Sequence, residues 1–277
     1  MRSFKTSDGL NLAFRDEGSG TPVLCLAGLT RNSRDFDFLK QAIGDEIRLI
    51  RLDYRGRGES DFDPNYSNYS IPIEARDVVE LINYINLPKV VIVGTSRGGL
   101  IAMMLAATVK DRLAGVLLND IGPELDQSGL EKIMGYLGRN PSYKTFDEAS
   151  KGLPEFYADQ YANLPKGRWA ECAEMWWDET PTGLKINYDP KLRDAILESS
   201  ATPTPDLWPL FDALSDIPIA LVRGANSDLL SEDTTAKMRT RRPDMTYANI
   251  PDRGHVPFLD ESEAIAALRT LLLKVDL

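Results

Sequence analysis

The stretch Val90-Val91-Ile92-Val93-Gly94-Thr95-Ser96-Arg97-Gly98-Gly99-Leu100-Ile101-Ala102 constrains this chain more than any other. It passes from a β-branched apolar run, through a Gly-x-Ser-x-Gly turn, into a second apolar run. That reads as a buried strand, a sharp turn and a buried helix. A bare Gly-x-Ser-x-Gly is common by chance, and it is the strand-turn-helix setting that gives it chemical meaning. A turn that lifts a hydroxyl clear of a sheet strains the serine backbone and crowds the positions two before and two after it. Gly94 and Gly98 carry no side chain to clash there. The same turn starts a helix beside Ser96, where the Arg97 N–H can face a developing oxyanion. Ser96 is therefore the candidate nucleophile, set against the plainer reading of a glycine-rich structural turn with an incidental serine.

Short apolar runs alternate with helical patterns elsewhere, as in βαβ units around a mostly parallel sheet. Strands are expected at Leu10 to Arg15, Val23 to Ala27, Arg48 to Leu52, Val90 to Gly94, Leu113 to Asn119, Pro218 to Arg223 and Met245 to Ile250. Ile73 to Asn86 and Glu261 to Leu273 have the spacing of amphipathic helices, and Gly98 to Thr108 is apolar almost all round. A chain of 277 residues suits one catalytic domain.

Between Gly122-Pro123 and Asp216-Ile217-Pro218 the texture changes. No convincing strand is present, prolines divide the segment into short helical pieces, and all four tryptophans (Trp169, Trp176, Trp177, Trp208) fall within it. Residues 123–216 are expected to form a helical cap inserted into a core of residues 1–122 and 217–277.

The formal net charge of −10 and the absence of a Lys/Arg cluster argue against a nucleic-acid partner. The N-terminus has no apolar leader-like region, and no run of about 18 apolar residues suggests a membrane span. Cys25 and Cys172 form no Cys-x-x-Cys pair or disulfide framework, which fits a reducing cytoplasmic setting. Cys25 reads as a small buried hydrophobe.

With these features in hand, the sequence resembles the α/β-hydrolase superfamily over nearly its whole length, in the serine-nucleophile branch with a helical cap. Besides the elbow at Ser96, Leu24-Cys25-Leu26-Ala27-Gly28-Leu29 resembles the family's strand and oxyanion loop, and Asp53-Tyr54-Arg55-Gly56-Arg57-Gly58-Glu59-Ser60 its D-x-R-G-x-G-x-S turn. The resemblance implies a mostly parallel eight-stranded sheet flanked by helices. It implies an oxyanion hole from the backbone N–H groups of Leu29 and Arg97, and a scaffolding role for the Asp53–Ser60 turn. Where the family usually has His-Gly this chain has Ala27-Gly28, so the backbone donor is kept and a bracing side chain is lost.

His255 is the only histidine and lies in Asp252-Arg253-Gly254-His255-Val256-Pro257-Phe258, between the last expected strand and the last helix. The resemblance puts the catalytic base at this Gly-His, and imidazole is the side chain whose ordinary pKa suits the task. The orienting carboxylate is expected at Asp228, after the penultimate strand, in the chain order Ser, Asp, His. Asp120, at the end of the strand Leu113 to Asn119, is the competitor, since some relatives draw their acid from that position. The expected chemistry is two-step acyl transfer through Ser96. No metal or organic cofactor is expected, because one histidine leaves no His-carboxylate cluster.

An aromatic-rich cap would roof a mostly apolar pocket, with Tyr136, Trp176, Trp177 and Trp208 as candidate lining, though the same aromatics could simply join the cap helices. The leading expectation is a carboxylic-ester hydrolase (carboxylesterase-like) for small, largely apolar esters, lactones included. A carbon-carbon bond hydrolase of ring-cleavage products and a ligand receptor with little turnover stay open, since fold and triad do not separate them. The partner is a small-molecule substrate, and homo-oligomerisation is left open.

Overall fold

The computed structural model describes residues 1–200 and 205–276. In chain order its strands are β1 Arg2–Lys5, β2 Asn11–Glu17, β3 Pro22–Leu26, β4 Arg48–Leu52, β5 Val90–Thr95, β6 Leu113–Asn119, β7 Trp177–Thr180, β8 Gly183–Ile186, β9 Ile219–Gly224 and β10 Thr246–Ile250. Its helices are α1 Asp37–Ile43, α2 Ile71–Tyr84, α3 Arg97–Thr108, α4 Gln127–Tyr136, α5 Phe146–Phe156, α6 Arg168–Trp176, α7 Leu192–Ser199, α8 Trp208–Asp212, α9 Glu232–Arg241 and α10 Ser262–Leu272.

Eight strands form one sheet in the order β1-β2-β4-β3-β5-β6-β9-β10. Only the β1–β2 and β2–β4 pairings are antiparallel, as the eight-stranded, mostly parallel expectation required. All residues of β5, β6 and β9 are buried, which is why these segments read as continuous apolar runs rather than alternating ones. Helices cover both faces. A Cβ on Gly115 of β6 would meet Leu271 of α10, whereas Leu118, an odd number of residues along the strand and so on its other face, lies against Gly99 of α3.

The strand β1 escapes sequence reading because only Phe4 of its four residues is buried. Helix α9 escapes for a similar reason: Glu-Asp-Thr-Thr-Ala-Lys-Met-Arg-Thr-Arg offers Met238 as its one large apolar buried residue, and the helix is announced instead by Ser231, whose Oγ caps the Thr234 N–H.

The segment between β6 and β9 carries α4 to α8 and, contrary to expectation, a two-stranded hairpin, β7–β8. Each of its strands has four residues, too few to show alternation. The turn is closed by Gly183 at φ 131°, a conformation open to glycine. Among the described residues no helix is long and apolar enough to cross a membrane.

Candidate active site

Parallel β5 and β6 end side by side, and both open into loops at the same edge of the sheet. At the end of β5 the chain turns sharply: Ser96 has φ 49° and ψ −115°, a strained conformation for a residue with a side chain. The two glycines make the turn sterically feasible. A Cβ on Gly94 would come within 2.6 Å of the Gly98 carbonyl oxygen, and one on Gly98 would collide with the Leu26 carbonyl of β3. Arg97 opens α3, so its N–H is a first-turn donor with no partner inside the helix.

Ser96 Oγ lies 2.9 Å from His255 Nε2, and His255 Nδ1 lies 2.7 Å from Oδ2 of Asp120. The carboxylate beside the histidine is therefore Asp120, not Asp228. Asp120 follows β6 directly, is wholly buried and adopts a left-handed backbone at φ 55°. Its Oδ1 accepts from the Gly224 N–H at 2.8 Å, and its Oδ2 from Ser227 Oγ at 2.6 Å. The end of β9 and the loop after it, where the acid was expected, instead supply one donor each to Asp120. Asp228 is turned the other way, toward α4, where its Oδ2 is 3.3 Å from Lys132 Nζ. A carboxylate four residues beyond a strand end must depend on loop geometry to reach the site, whereas one adjacent to the strand end is placed by the sheet.

The base's loop is tied down from two sides. Asn119 Nδ2 donates to Thr95 Oγ1 and to the Pro257 carbonyl, each at 3.1 Å, joining the ends of β5 and β6 to the residues after His255. From the segment between β6 and β9, Tyr161 Oη donates to the Val256 carbonyl at 2.9 Å.

A cavity of about 80 Å³ lies over Ser96 and His255. Gly28 and Leu29 line it, as do Tyr136 and Trp176 from the segment between β6 and β9. Trp177 lines an adjoining cavity instead. Trp208 lines neither: its Nε1 donates to Glu124 at 2.8 Å and its ring packs edge-on against Phe211, so it belongs to the seam between α8 and the core. Sequence reading missed Tyr157, Tyr161 and Phe258, which wall the cavity from loops, and Arg31, which stands in its lining with its guanidinium 3.8 Å from the Trp176 ring centroid.

A model of the alpha/beta hydrolase family matches residues 23–268. The chain belongs to that family. Among curated proteins, this α/β hydrolase is 36% identical over 261 residues to a 3-hydroxybutyrate-oligomer hydrolase of Cupriavidus necator, covering 91% of this chain and 88% of that one. It is 28% identical over 247 residues to a 2-(acetamidomethylene)succinate hydrolase of Mesorhizobium japonicum, covering 89% and 85% of the two chains. Among solved structures, an alpha/beta hydrolase from Novosphingobium aromaticivorans superposes with a TM-score of 0.92 at 39% identity, over 99% of this chain and 98% of that one.

In this α/β hydrolase the loop carrying Ala27 has another brace. Arg57 Nε donates to the Leu29 carbonyl at 3.0 Å, which fixes the peptide next to the Leu29 N–H. Arg57 is itself buried and held by Glu74 at 2.7 Å, and Glu74 also holds Arg97 at 2.6 Å. Burial would push the Glu74 carboxyl up, but the two guanidiniums outweigh it and hold it below its usual range. Asp53 fixes the same loop further along, accepting the Ser33 N–H at 2.6 Å. The Asp53–Ser60 turn thus braces the Leu29–Ser33 loop directly and meets the start of α3 through Glu74.

Proposed function

We propose that this hydrolase cleaves carboxylic esters through an acyl-enzyme on Ser96. The observation that carries the reading is the unbroken relay from Ser96 Oγ through both ring nitrogens of His255 to the buried Asp120. In the first step Ser96 Oγ bonds to the ester carbonyl carbon while its proton passes to His255 Nε2. The Leu29 and Arg97 N–H groups donate to the oxyanion. Collapse breaks the bond to the alcohol oxygen, which leaves with the proton from His255. A water then repeats the sequence, its proton going to His255 and its oxygen to the acyl carbon, and Ser96 regains its proton. Asp120 holds the Nδ1–H tautomer and stabilises the imidazolium. The partner is a small-molecule ester, with no cofactor required by these steps.

The name of the Cupriavidus relative supports the ester bond, because an oligomer of a hydroxy acid is joined hydroxyl to carboxyl. The test is turnover of short and medium p-nitrophenyl esters and lactones by the wild type and Ser96→Ala. The variant should lose on the order of 10⁵- to 10⁶-fold in kcat. Saturable binding without turnover by the wild type would overturn the enzyme reading, and activity surviving in the variant would overturn the role of Ser96.

A further inference from the structure

The cavity over Ser96 shares its aromatic wall with a neighbour. Thr30, Arg31, Tyr136, Tyr157 and Trp176 line both it and a second cavity of about 270 Å³, whose remaining wall comes from the loop 139–143 with α4, α5 and the β7–β8 hairpin. Two arginines, Arg31 and Arg139, stand in the lining of this second cavity and, among the described residues, no Asp or Glu does. In a chain of net charge −10 that lining departs from the composition around it.

Arg31 is also underused. Among the described residues its guanidinium makes no hydrogen bond, and its nearest carboxylate, Asp35, is 3.8 Å away. Stacking on Trp176 occupies its face and leaves the N–H edges free to meet a planar acceptor. Arg139 spends one donor on the Gly135 carbonyl at 3.3 Å and is otherwise exposed. The position of Arg31 relative to the nucleophile is close. A Cβ on Gly28 would lie 3.6 Å from Arg31 Cγ and 3.8 Å from Ser96 Cβ, so the arginine stem and the nucleophile flank the same glycine.

We propose that the second cavity is an anionic subsite: a substrate whose ester carbonyl lies at Ser96 runs past Arg31 and places a carboxylate of its own among Arg31 and Arg139. The proposal rests on the ester-hydrolase reading and adds the substrate class, a short apolar chain that ends in a carboxylate. A carboxylate offers two coplanar oxygens to a guanidinium fork, a strong and geometrically specific pairing. A neutral end would displace water from the guanidinium without replacing its hydrogen bonds, and a cationic end would add repulsion.

The test compares esters matched in length, followed by pH-stat. One pair carries the charge on the acyl side, p-nitrophenyl hydrogen adipate against p-nitrophenyl heptanoate, and one on the alcohol side, 6-butanoyloxyhexanoate against its amide. A terminal trimethylammonium analogue serves as the opposite charge. The wild type should prefer the carboxylate member of at least one pair by about tenfold or more in kcat/KM, chiefly through KM, and Arg31→Met should cut that ratio at least tenfold. Arg31→Lys should restore part of it, because charge returns without the fork. Should Arg31→Met fail to fold, free adipate should still inhibit the wild type on a neutral ester more strongly than hexanol does, and Arg139→Met should weaken that inhibition. Neutral esters turned over as well as both carboxylate partners, or a preference for the cationic analogue, would overturn the subsite while leaving the ester-hydrolase reading intact. No turnover of any ester would overturn that reading itself.

Discussion

Beneath Ser96, Glu74 is wedged between Arg57 and Arg97, and Asp120 receives donors from Gly224, Ser227 and His255. Above Ser96, Arg31 rests on Trp176 with a single carboxylate at 3.8 Å and no hydrogen bond to the protein among the described residues. The charges behind the catalytic groups, a floor that lies outside the cavity lining, and the half-buried charge in the cavity wall, its roof, are therefore handled in opposite ways. On the floor, each carboxylate is locked by several partners, Glu74 of α2 by Arg57 of the loop after β4 and Arg97 at the start of α3, so removing one partner leaves another charge stranded. On the roof, donors are left for something that is not part of the chain. The floor holds reacting atoms in place, and the roof is free to choose what arrives there.

The sharpest way to break this contrast is to exchange the two aspartates that compete for the histidine. Asp120→Asn should lower kcat on any ester turned over by about 10⁴-fold, since the imidazole loses both its tautomer control and its counter-charge. Asp228→Asn removes a carboxylate that touches Lys132 and not His255, so kcat should stay within about threefold. Steady-state kinetics on one neutral ester decides it. Equal losses in both variants would mean that the loop after β9 rearranges to bring Asp228 to the base, and the floor would not be fixed as described.

Legibility in the sequence follows the same divide. The central strands could be read because β5, β6 and β9 are covered on both faces and their sequences are correspondingly apolar. Ser96 could be read because the geometry of its turn demands glycines at set positions, and His255 because the chain has no other histidine. Asp120 was visible only as an alternative. Choosing between it and Asp228 required knowing that Ser227 folds back onto the end of β6, a contact between residues 107 positions apart. The roof was harder still. Arg31 sits in Thr30-Arg31-Asn32-Ser33-Arg34-Asp35, which reads as a solvated polar loop, and only the tertiary fold brings Trp176 over it. Trp208 shows the converse: aromatic content alone did not say which rings face a cavity.

Two tryptophans from the segment between β6 and β9 sharpen the roof's side of the comparison. Trp176→Phe keeps a ring beside Arg31 but weakens its hold on the guanidinium, a loss of about 1 kcal/mol or less. KM for the carboxylate-ended ester should rise by about threefold to fivefold, with kcat little changed. Trp208→Phe, lining neither cavity, should leave both constants within about twofold while loosening the contact with Glu124. A larger kinetic effect from Trp208 than from Trp176 would contradict the placement of the roof.

An effect of the same size as that of Trp176→Phe is expected in pH dependence, and it isolates Arg31 from the catalytic groups. Burial in the cavity wall pushes the Asp35 carboxyl up, Arg31 and Arg34 pull it down and Asp37 adds to the rise, leaving it at about 6. Above that value Asp35 is ionised and competes for Arg31, and below it Asp35 is neutral and Arg31 is released to the substrate. The other titratable groups around Arg31 come from packed elements: Tyr136 of α4, Tyr157 after α5 and Cys172 of α6. Burial raises all three, Cys172 to about 12, so none ionises between pH 5.5 and 8. An aliphatic substrate carboxylate stays largely ionised over that range. His255 serves charged and neutral esters alike, so its contribution cancels in the ratio of their kcat/KM values. That ratio should climb by about threefold to fivefold as the pH falls from 8 to 5.5, the scale of about 1 kcal/mol for a partly exposed ion pair. Asp35→Asn should hold it flat near the acidic limit of the wild type. A ratio that rises with pH instead, or one that keeps its slope in Asp35→Asn, would show that Asp35 does not set the availability of Arg31.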